Sequence, residues 1–465
     1  MERERTVSRG SLPVGAPADD ARAAARLRAA LGGRMEPELA LAWREAWGAL
    51  WTSRLVVWAA GLLGVLWLGR AGGTRQFDRF GLTTPFSPFG DLLVAPGARW
   101  DSVWYLRIAR DGYGSPHDHA QAAFYPLYPL LMRVVGWVVG SPLLAGILIS
   151  LACFLLALVL LHRLAALELG LHHARGTVLL VAFFPTAFFF SAVYSESLFL
   201  LVSVGAFLAA RRGHWGWAGV LGGLAALTRN SGVLLLVPLL VLFLYGPRAD
   251  RPAAPMPGTA AGGSAATRGR WHVRLRPRHP LTPRLLWLAL VPLGLALYLG
   301  WSAIRLGDAF APYHAQALWL RHFEPLGAVA GGARAAWLGL RQLVHGSPTP
   351  RYFGENGGNP FTVAGDSLML IGFLVFALVA LAGVLRRLPF AYGAYAAVAL
   401  AMTLSYPLDM QPLMSLPRYL VVLFPFQMWL ARWAGERGGV ERAVGVSAVL
   451  LGLFAAHFAH WGFVA

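Results

Sequence analysis

The residue best placed for acid–base chemistry is Asp101. It lies within Arg99-Trp100-Asp101-Ser102-Val103-Trp104-Tyr105-Leu106-Arg107-Ile108-Ala109-Arg110-Asp111-Gly112-Tyr113. A carboxylate between aromatic side chains near a membrane surface is partly stripped of water. That environment suits it to take a proton from a hydroxyl. The same residue could instead cap a helix that begins at Ser102. Just downstream, Ala123-Phe124-Tyr125-Pro126-Leu127-Tyr128-Pro129 adds Tyr125 and Tyr128. An aromatic belt at the membrane interface would account for both tyrosines equally well.

Three further charged positions sit beside apolar runs. Glu196 follows Phe184-Pro185-Thr186-Ala187-Phe188-Phe189-Phe190-Ser191-Ala192-Val193-Tyr194-Ser195, where one apolar run ends and the next begins. Ionisable groups at that depth are costly and tend to face a cavity or a partner. A carboxylate starting a helix would also favour the helix dipole. Arg229 lies in Thr228-Arg229-Asn230-Ser231-Gly232, midway through the apolar hairpin 214–246. Each arm has about 16 residues, or about 24 Å, against a hydrocarbon core of about 30 Å. The tip should therefore sit below the headgroups, in a polar vestibule. There a guanidinium could grip a lipid-linked phosphate or snorkel to the headgroups. The same choice applies to Arg418, in Leu416-Pro417-Arg418-Tyr419.

Other chemistries leave no trace. His117-Asp118-His119 has metal-like residue types, but three adjacent loop residues seldom converge on one ion, so no metal is expected. There is no Asp-x-Asp pair, no dinucleotide-binding glycine motif and no Walker loop. The single cysteine, Cys153, excludes an intramolecular disulfide framework and a thiolate metal site.

The elements that must hold these residues are apolar helices. The chain has 465 residues, 57% hydrophobic and 13% charged, with a mean hydropathy of +0.55. Soluble domains carry about 25% charged residues. The composition therefore predicts an all-α polytopic membrane protein. The net charge of +18 is all arginine, since there is no lysine. The arginines fall mostly between apolar runs, which fits the positive-inside rule better than nucleic-acid binding. The first apolar run starts near Leu55, after a polar segment, so no cleavable leader is expected.

Candidate spans are 53–70, 143–162, 176–194, 196–211, 214–229, 231–246, 284–305, 366–385, 389–407, 416–432 and 441–463. With the arginine-rich segments inside, these predict eleven spans. The stretch 124–139 is then interfacial or re-entrant. The expected organisation is a flexible cytoplasmic segment 1–50, a membrane module 51–246 with an outer loop 71–142, a basic cytoplasmic loop 247–284, and a second module 285–465 with an outer loop 306–365. Residues 326–345 have the pattern of a helix lying in the interface. No long internal repeat is present, which speaks against an inverted-repeat transporter.

Taken together, these blocks resemble a known family. The pattern W-D-x-x-(aromatic)-(aromatic)-x-x-I-A-x-x-G-Y, then A-F-(aromatic)-P-x-x-P, is similar to that of the PIG-V-type mannosyltransferases, which belong to the GT-C superfamily. Residues 191–199 look like the family's second block, and 228–232 resembles its Arg-Ser-Asn-Gly turn with Asn and Ser exchanged. The match covers roughly 100–232; beyond it only Pro417-Arg418-Tyr419 corresponds. At Trp104 eukaryotic members tend to carry His, so no role is carried over to that position.

The resemblance implies a GT-C glycosyltransferase of the cell membrane with an extracytoplasmic site. Its donor would be polyprenyl-phosphate mannose, a substrate rather than a cofactor. Its acceptor would be a glycolipid or glycan. The family's acidic residue carries over to Asp101 as general base, and inversion at the anomeric carbon would yield an α-mannoside. Trp100, Tyr105, Tyr125, Tyr128, Glu196, Arg229 and Arg418 are the candidate substrate contacts. Alternatives are a GT-C enzyme using another sugar or a protein acceptor, and a lipid or glycan transporter.

Overall fold

The computed structural model describes residues 37–69, 77–114, 119–250, 277–345, 360–409 and 411–464. Expectations for 1–36, for most of 247–284, for His117-Asp118 and for 346–359 fall outside these residues. Among the described residues the regular structure is helical, apart from one isolated antiparallel bridge between Arg321 and Leu408. The protein is an all-α polytopic membrane protein, as its composition predicts.

In chain order the helices begin with α1 (Pro37–Leu68), α2 (Pro88–Val94), α3 (Ser102–Asp111), α4 (Leu127–Val139), α5 (Pro142–Leu169) and α6 (Leu171–Ala182). Next come α7 (Glu196–Arg211), α8 (Trp215–Thr228), α9 (Leu236–Tyr245), α10 (Leu290–Leu306), α11 (Ala311–Leu318) and α12 (Gly327–His345). The last are α13 (Pro360–Arg387), α14 (Phe390–Leu404), α15 (Leu416–Leu420), α16 (Phe424–Gly435) and α17 (Val440–Ala459). Local chemistry sets many of the ends. Ser141 caps α5 by accepting from the Leu144 amide, Pro142 opens the helix, and Gly170 at φ 89° closes it.

Among the described residues, five helical segments are long and apolar enough to cross a membrane: Pro37–Leu68, Pro142–Leu169, Pro283–Leu306, Ala364–Arg387 and Val440–Ala459. The other expected spans are shorter or broken. α4 has 13 residues, about 20 Å, and cannot cross a core of about 30 Å. Its Trp137 and Val138 are exposed, as an interfacial helix requires.

Two expectations need correction. Residues 37–50 are not a flexible tail. They form the first turns of α1, which buries Ala40, Ala42, Ala46 and Ala49 in the bundle and pairs Glu45 with Arg175. Small residues let this polar stretch pack closely against its neighbours, so it orders as helix.

The expected spans 176–194 and 416–432 are not continuous. α6 stops at Ala182, and 183–195 runs irregularly but wholly buried. Pro185 has no amide hydrogen and disfavours helical geometry at Phe184. Likewise α15 ends at Leu420, and α16 restarts at Phe424 with Pro425 in its first turn. Irregular backbone at membrane depth survives only where protein satisfies it. Here Arg54 from α1 donates to the Ala182 carbonyl at 3.0 Å and the Ala187 carbonyl at 2.8 Å. The Ser150 hydroxyl donates to the Ala192 carbonyl at 2.8 Å. The Thr186 hydroxyl donates to the Pro417 carbonyl at 3.0 Å, tying this break to α15.

The molecule has two chemically different ends. Arg211 pairs with Glu168, and Glu168 also accepts from the Tyr392 hydroxyl at 2.8 Å. Arg387 and Arg432 both pair with Glu436. α7 runs from this arginine-rich end at Arg211 to Glu196, about 22 Å away at 1.5 Å per residue. The breaks at 183–195 and 421–423, and the turn at 229–235, lie towards the Glu196 end.

Candidate active site

Asp101 occupies the cap position of α3, yet its side chain makes no capping hydrogen bond. Its Oδ2 forms an ion pair with Arg418 Nη1 instead. Neighbouring contacts hold the aspartate in place. The Asp101 amide donates to the Tyr194 hydroxyl at 3.2 Å, and that hydroxyl donates to the Arg99 carbonyl at 3.0 Å. Trp100 takes φ 53°, a left-handed conformation costing on the order of 1 kcal/mol for a bulky residue. Its indole N–H donates to the Gly462 carbonyl at 3.2 Å, and its ring packs on Phe77, Trp461 and Phe463. These contacts offset the strain and turn Asp101 inwards.

Arg229 lies at the α8–α9 turn in extended conformation, φ −154° and ψ 152°. The turn is tight because Gly232 sits on the backbone of Ala225, where any Cβ would collide. α8 has 14 residues, about 21 Å, so the tip stays within the membrane's depth. Arg229 Nη1 donates to Glu196 Oε1 at 2.8 Å. Arg418 Nε donates to that same oxygen. The two guanidiniums also cover aromatic faces, Arg229 over Tyr419 at 5.1 Å and Arg418 over Tyr194 at 4.6 Å. Asp101, Arg418, Glu196 and Arg229 therefore form one continuous ionic chain, drawn from α3, α15, α7 and the α8–α9 turn.

This chain borders a cavity of about 400 Å³. Asp101, Arg229 and Arg418 line it, together with Trp100, Trp104, Tyr105, Tyr125 and Arg321. Three lining guanidiniums face only two carboxylates, counting Glu196 behind the wall. The excess is positive. Glu196 takes one N–H from Arg229, and Asp101 and Glu196 take two from Arg418, which leaves further donors of both for a ligand. Burial pushes the Tyr105 phenol up to about 12, so it is neutral at ordinary pH where it meets the Ser195 hydroxyl at 3.0 Å.

Two expected contacts are not at the cavity. Glu196 is 0% exposed and sits behind the arginines, so it acts on a ligand only through them. Tyr128 is also 0% exposed. Its hydroxyl is held by the Gly146 carbonyl at 3.0 Å and Ser150 at 2.9 Å, making it a packing residue between α4 and α5.

Sequence reasoning passed over Arg321 and the stretch 461–464. Arg321 Nη1 donates to the Tyr406 carbonyl at 3.0 Å, and its Nη2 to Ser415 Oγ at 3.1 Å. It thus fixes the loop that delivers Arg418. Arginine alone in a loop carries no motif, so nothing in the pattern singled it out. Among the described residues no three His, Cys, Asp or Glu side chains converge as metal ligands would.

Residues 90–240 match the family described as mannosyltransferase (PIG-V). Over this stretch the chain is PIG-V-like. It is 34% identical over 158 residues to GPI alpha-1,6-mannosyltransferase 2 of Rattus norvegicus, covering 31% of each chain. It is 30% identical over 172 residues to GPI mannosyltransferase 2 of Yarrowia lipolytica, covering 36% of this chain and 45% of that protein. A GPI mannosyltransferase of Caenorhabditis elegans is 29% identical over 197 residues, 35% of this chain and 29% of its own length. The chain thus matches about a third of the length of the rat relative, 31%. No solved structure matches. The PIG-V-like stretch holds Asp101, Glu196 and Arg229; Arg418 and Arg321 lie outside it and reach the site only through folding.

Proposed function

We propose that this protein is a membrane mannosyltransferase using a polyprenyl-phosphate mannose donor. The observation that carries the reading is the pair Arg229 and Arg418, joined through one Glu196 oxygen and facing a cavity that Asp101 also lines. In this reading the guanidiniums hold the donor phosphate with their remaining N–H groups. Asp101 accepts the proton of the acceptor hydroxyl as its oxygen bonds to the anomeric carbon. The bond from that carbon to the phosphate oxygen breaks, and the electron pair leaves on polyprenyl phosphate. The arginines stabilise that growing charge where water is scarce. One displacement inverts the centre, so a β-linked donor gives an α-mannoside. The acceptor is a glycolipid or glycan.

The site lies at the end of α7 remote from the arginine-rich end. By the positive-inside rule the reaction is then extracytoplasmic at the cell membrane. A lipid-borne donor reaches such a site by lateral diffusion, so no nucleotide-binding fold is needed. The test is to incubate membranes containing the protein with radiolabelled polyprenyl-phosphate mannose and identify the product. Label in a glycolipid or glycan supports the proposal. Transbilayer movement of intact donor without a product would overturn it in favour of a transporter. A labelled protein would keep the chemistry and change the acceptor.

A further inference from the structure

α3 turns Asp101, Trp104 and Tyr105 towards one cavity, because residues three and four apart share a helix face. Trp104 is only partly buried. Its ring lies nearly parallel to Phe124, 5.8 Å between centroids and 14° between planes, and meets Trp319 edge-on at 5.5 Å. Trp319 in turn sits edge-on to Phe124 at 6.0 Å. Three rings thus brace one another and hold Trp104 rigid, while Trp104, Trp319 and Phe124 all still line open space. Gln316 lines the same cavity, its amide nitrogen directed to the Pro312 carbonyl at 3.5 Å. Asp101 meets Arg418 through Oδ2, so Oδ1 stands outside that ion pair.

A braced flat ring in a cavity that an amide and a carboxylate also line suits a pyranose. The sugar's C–H face is apolar and lies well on an aromatic plane, while its hydroxyls need a few placed polar groups. In-line displacement also separates the two substrates. The leaving phosphate belongs with the arginines, so the incoming hydroxyl must come from the opposite side of the anomeric carbon, where it can meet Asp101. Trp104 stands one helical turn beyond Asp101, about 5–6 Å between Cβ atoms, roughly the width of a sugar ring.

We infer that Trp104, braced by Phe124 and Trp319, forms the subsite for the acceptor's terminal pyranose and presents one of its hydroxyls to Asp101. This rests on the transferase reading above. Trp104 binds and orients the acceptor; it takes no part in proton transfer.

The probe is octyl α-D-mannopyranoside, used with the full chain both as acceptor and in equilibrium binding without donor. Trp104→Ala should raise the KM for this acceptor about tenfold, and Trp104→Phe should recover most of the loss. The donor KM should stay within about twofold. An unchanged acceptor KM in Trp104→Ala overturns the subsite, as does a rise in donor KM instead. Binding without donor separates the two proposals. Trp104-dependent binding without any mannose transfer keeps the subsite and removes the transferase reading. Transfer indifferent to Trp104 does the reverse. A wild-type protein that neither binds nor mannosylates the probe overturns the subsite.

Discussion

Two buried clusters of arginine and carboxylate stand at opposite ends of α7, and they differ in how completely they are closed. At the Arg211 end, Glu168 accepts from Arg211 and from the Tyr392 hydroxyl, and Arg211 spends a further donor on the Pro247 carbonyl at 2.8 Å. Each charge there meets a partner from the protein. At the other end, one Glu196 oxygen serves two arginines, Asp101 is held by one of them, and the cluster faces a cavity. Buried charge is expensive unless paired. The closed cluster therefore reads as structure, and the open, positively biased one as a place for an anionic ligand.

The largest test of this contrast is Asp101→Asn. Mannose transfer should fall by on the order of 10³, with the amount of protein in the membrane unchanged. Near-normal transfer would remove Asp101 from the chemistry. Next comes a matched pair of variants. Glu196→Gln should lower transfer by about 100-fold, because breaking a buried ion pair costs about 3–5 kcal/mol and here releases both Arg229 and Arg418. Glu168→Gln should lower the thermal-unfolding midpoint by a similar pairing loss, yet leave transfer per folded molecule within about threefold. If the folded fraction of Glu168→Gln loses transfer as severely, the two clusters are not different in kind.

Smaller effects sharpen the open cluster. Arg229→Ala should raise the donor KM about tenfold, the worth of a hydrogen bond to a charged group, and Arg229→Lys should not restore it, since an ammonium cannot reproduce the guanidinium fork. A donor KM unaffected by loss of Arg229 would put the phosphate elsewhere. Gly232→Ala should be milder, about 1–3 kcal/mol of stability from the collision with Ala225, with a modest rise in donor KM as Arg229 shifts. A wild-type unfolding midpoint for that variant would mean the turn relaxes freely.

Much of the fold was legible because its physics is compositional. Twenty apolar residues in a row have few options other than a membrane helix, and α5 and α13 answer directly to that signal. Glu196, Arg229 and Arg418 also stood out, because an isolated charge beside an apolar run is costly wherever it occurs, and Asp101 because it lies between aromatic residues in a recognisable block. Less visible was helix continuity. Pro185 and Pro425 both sit in runs apolar enough to span, yet the chain breaks beside each. Whether such a break survives depends on distant donors, such as Arg54 reaching the Ala182 and Ala187 carbonyls. No local pattern contains that information.

The sequence by itself determined the class of protein, the family resemblance of roughly 100–232 and the charged residues worth watching. Each of these follows from residue types and short spacings. Only the tertiary structure decided that Glu196 stands behind the arginines, that Tyr128 is packing, and that Arg321 and the stretch 461–464 join the site. Asp101 and Arg418 lie 317 positions apart, and they meet where Thr186, in the break at 183–195, is bonded to Pro417, the neighbour of Arg418. Spacing along the chain reports what a residue can do; which partner it meets is set by packing between helices far apart in sequence.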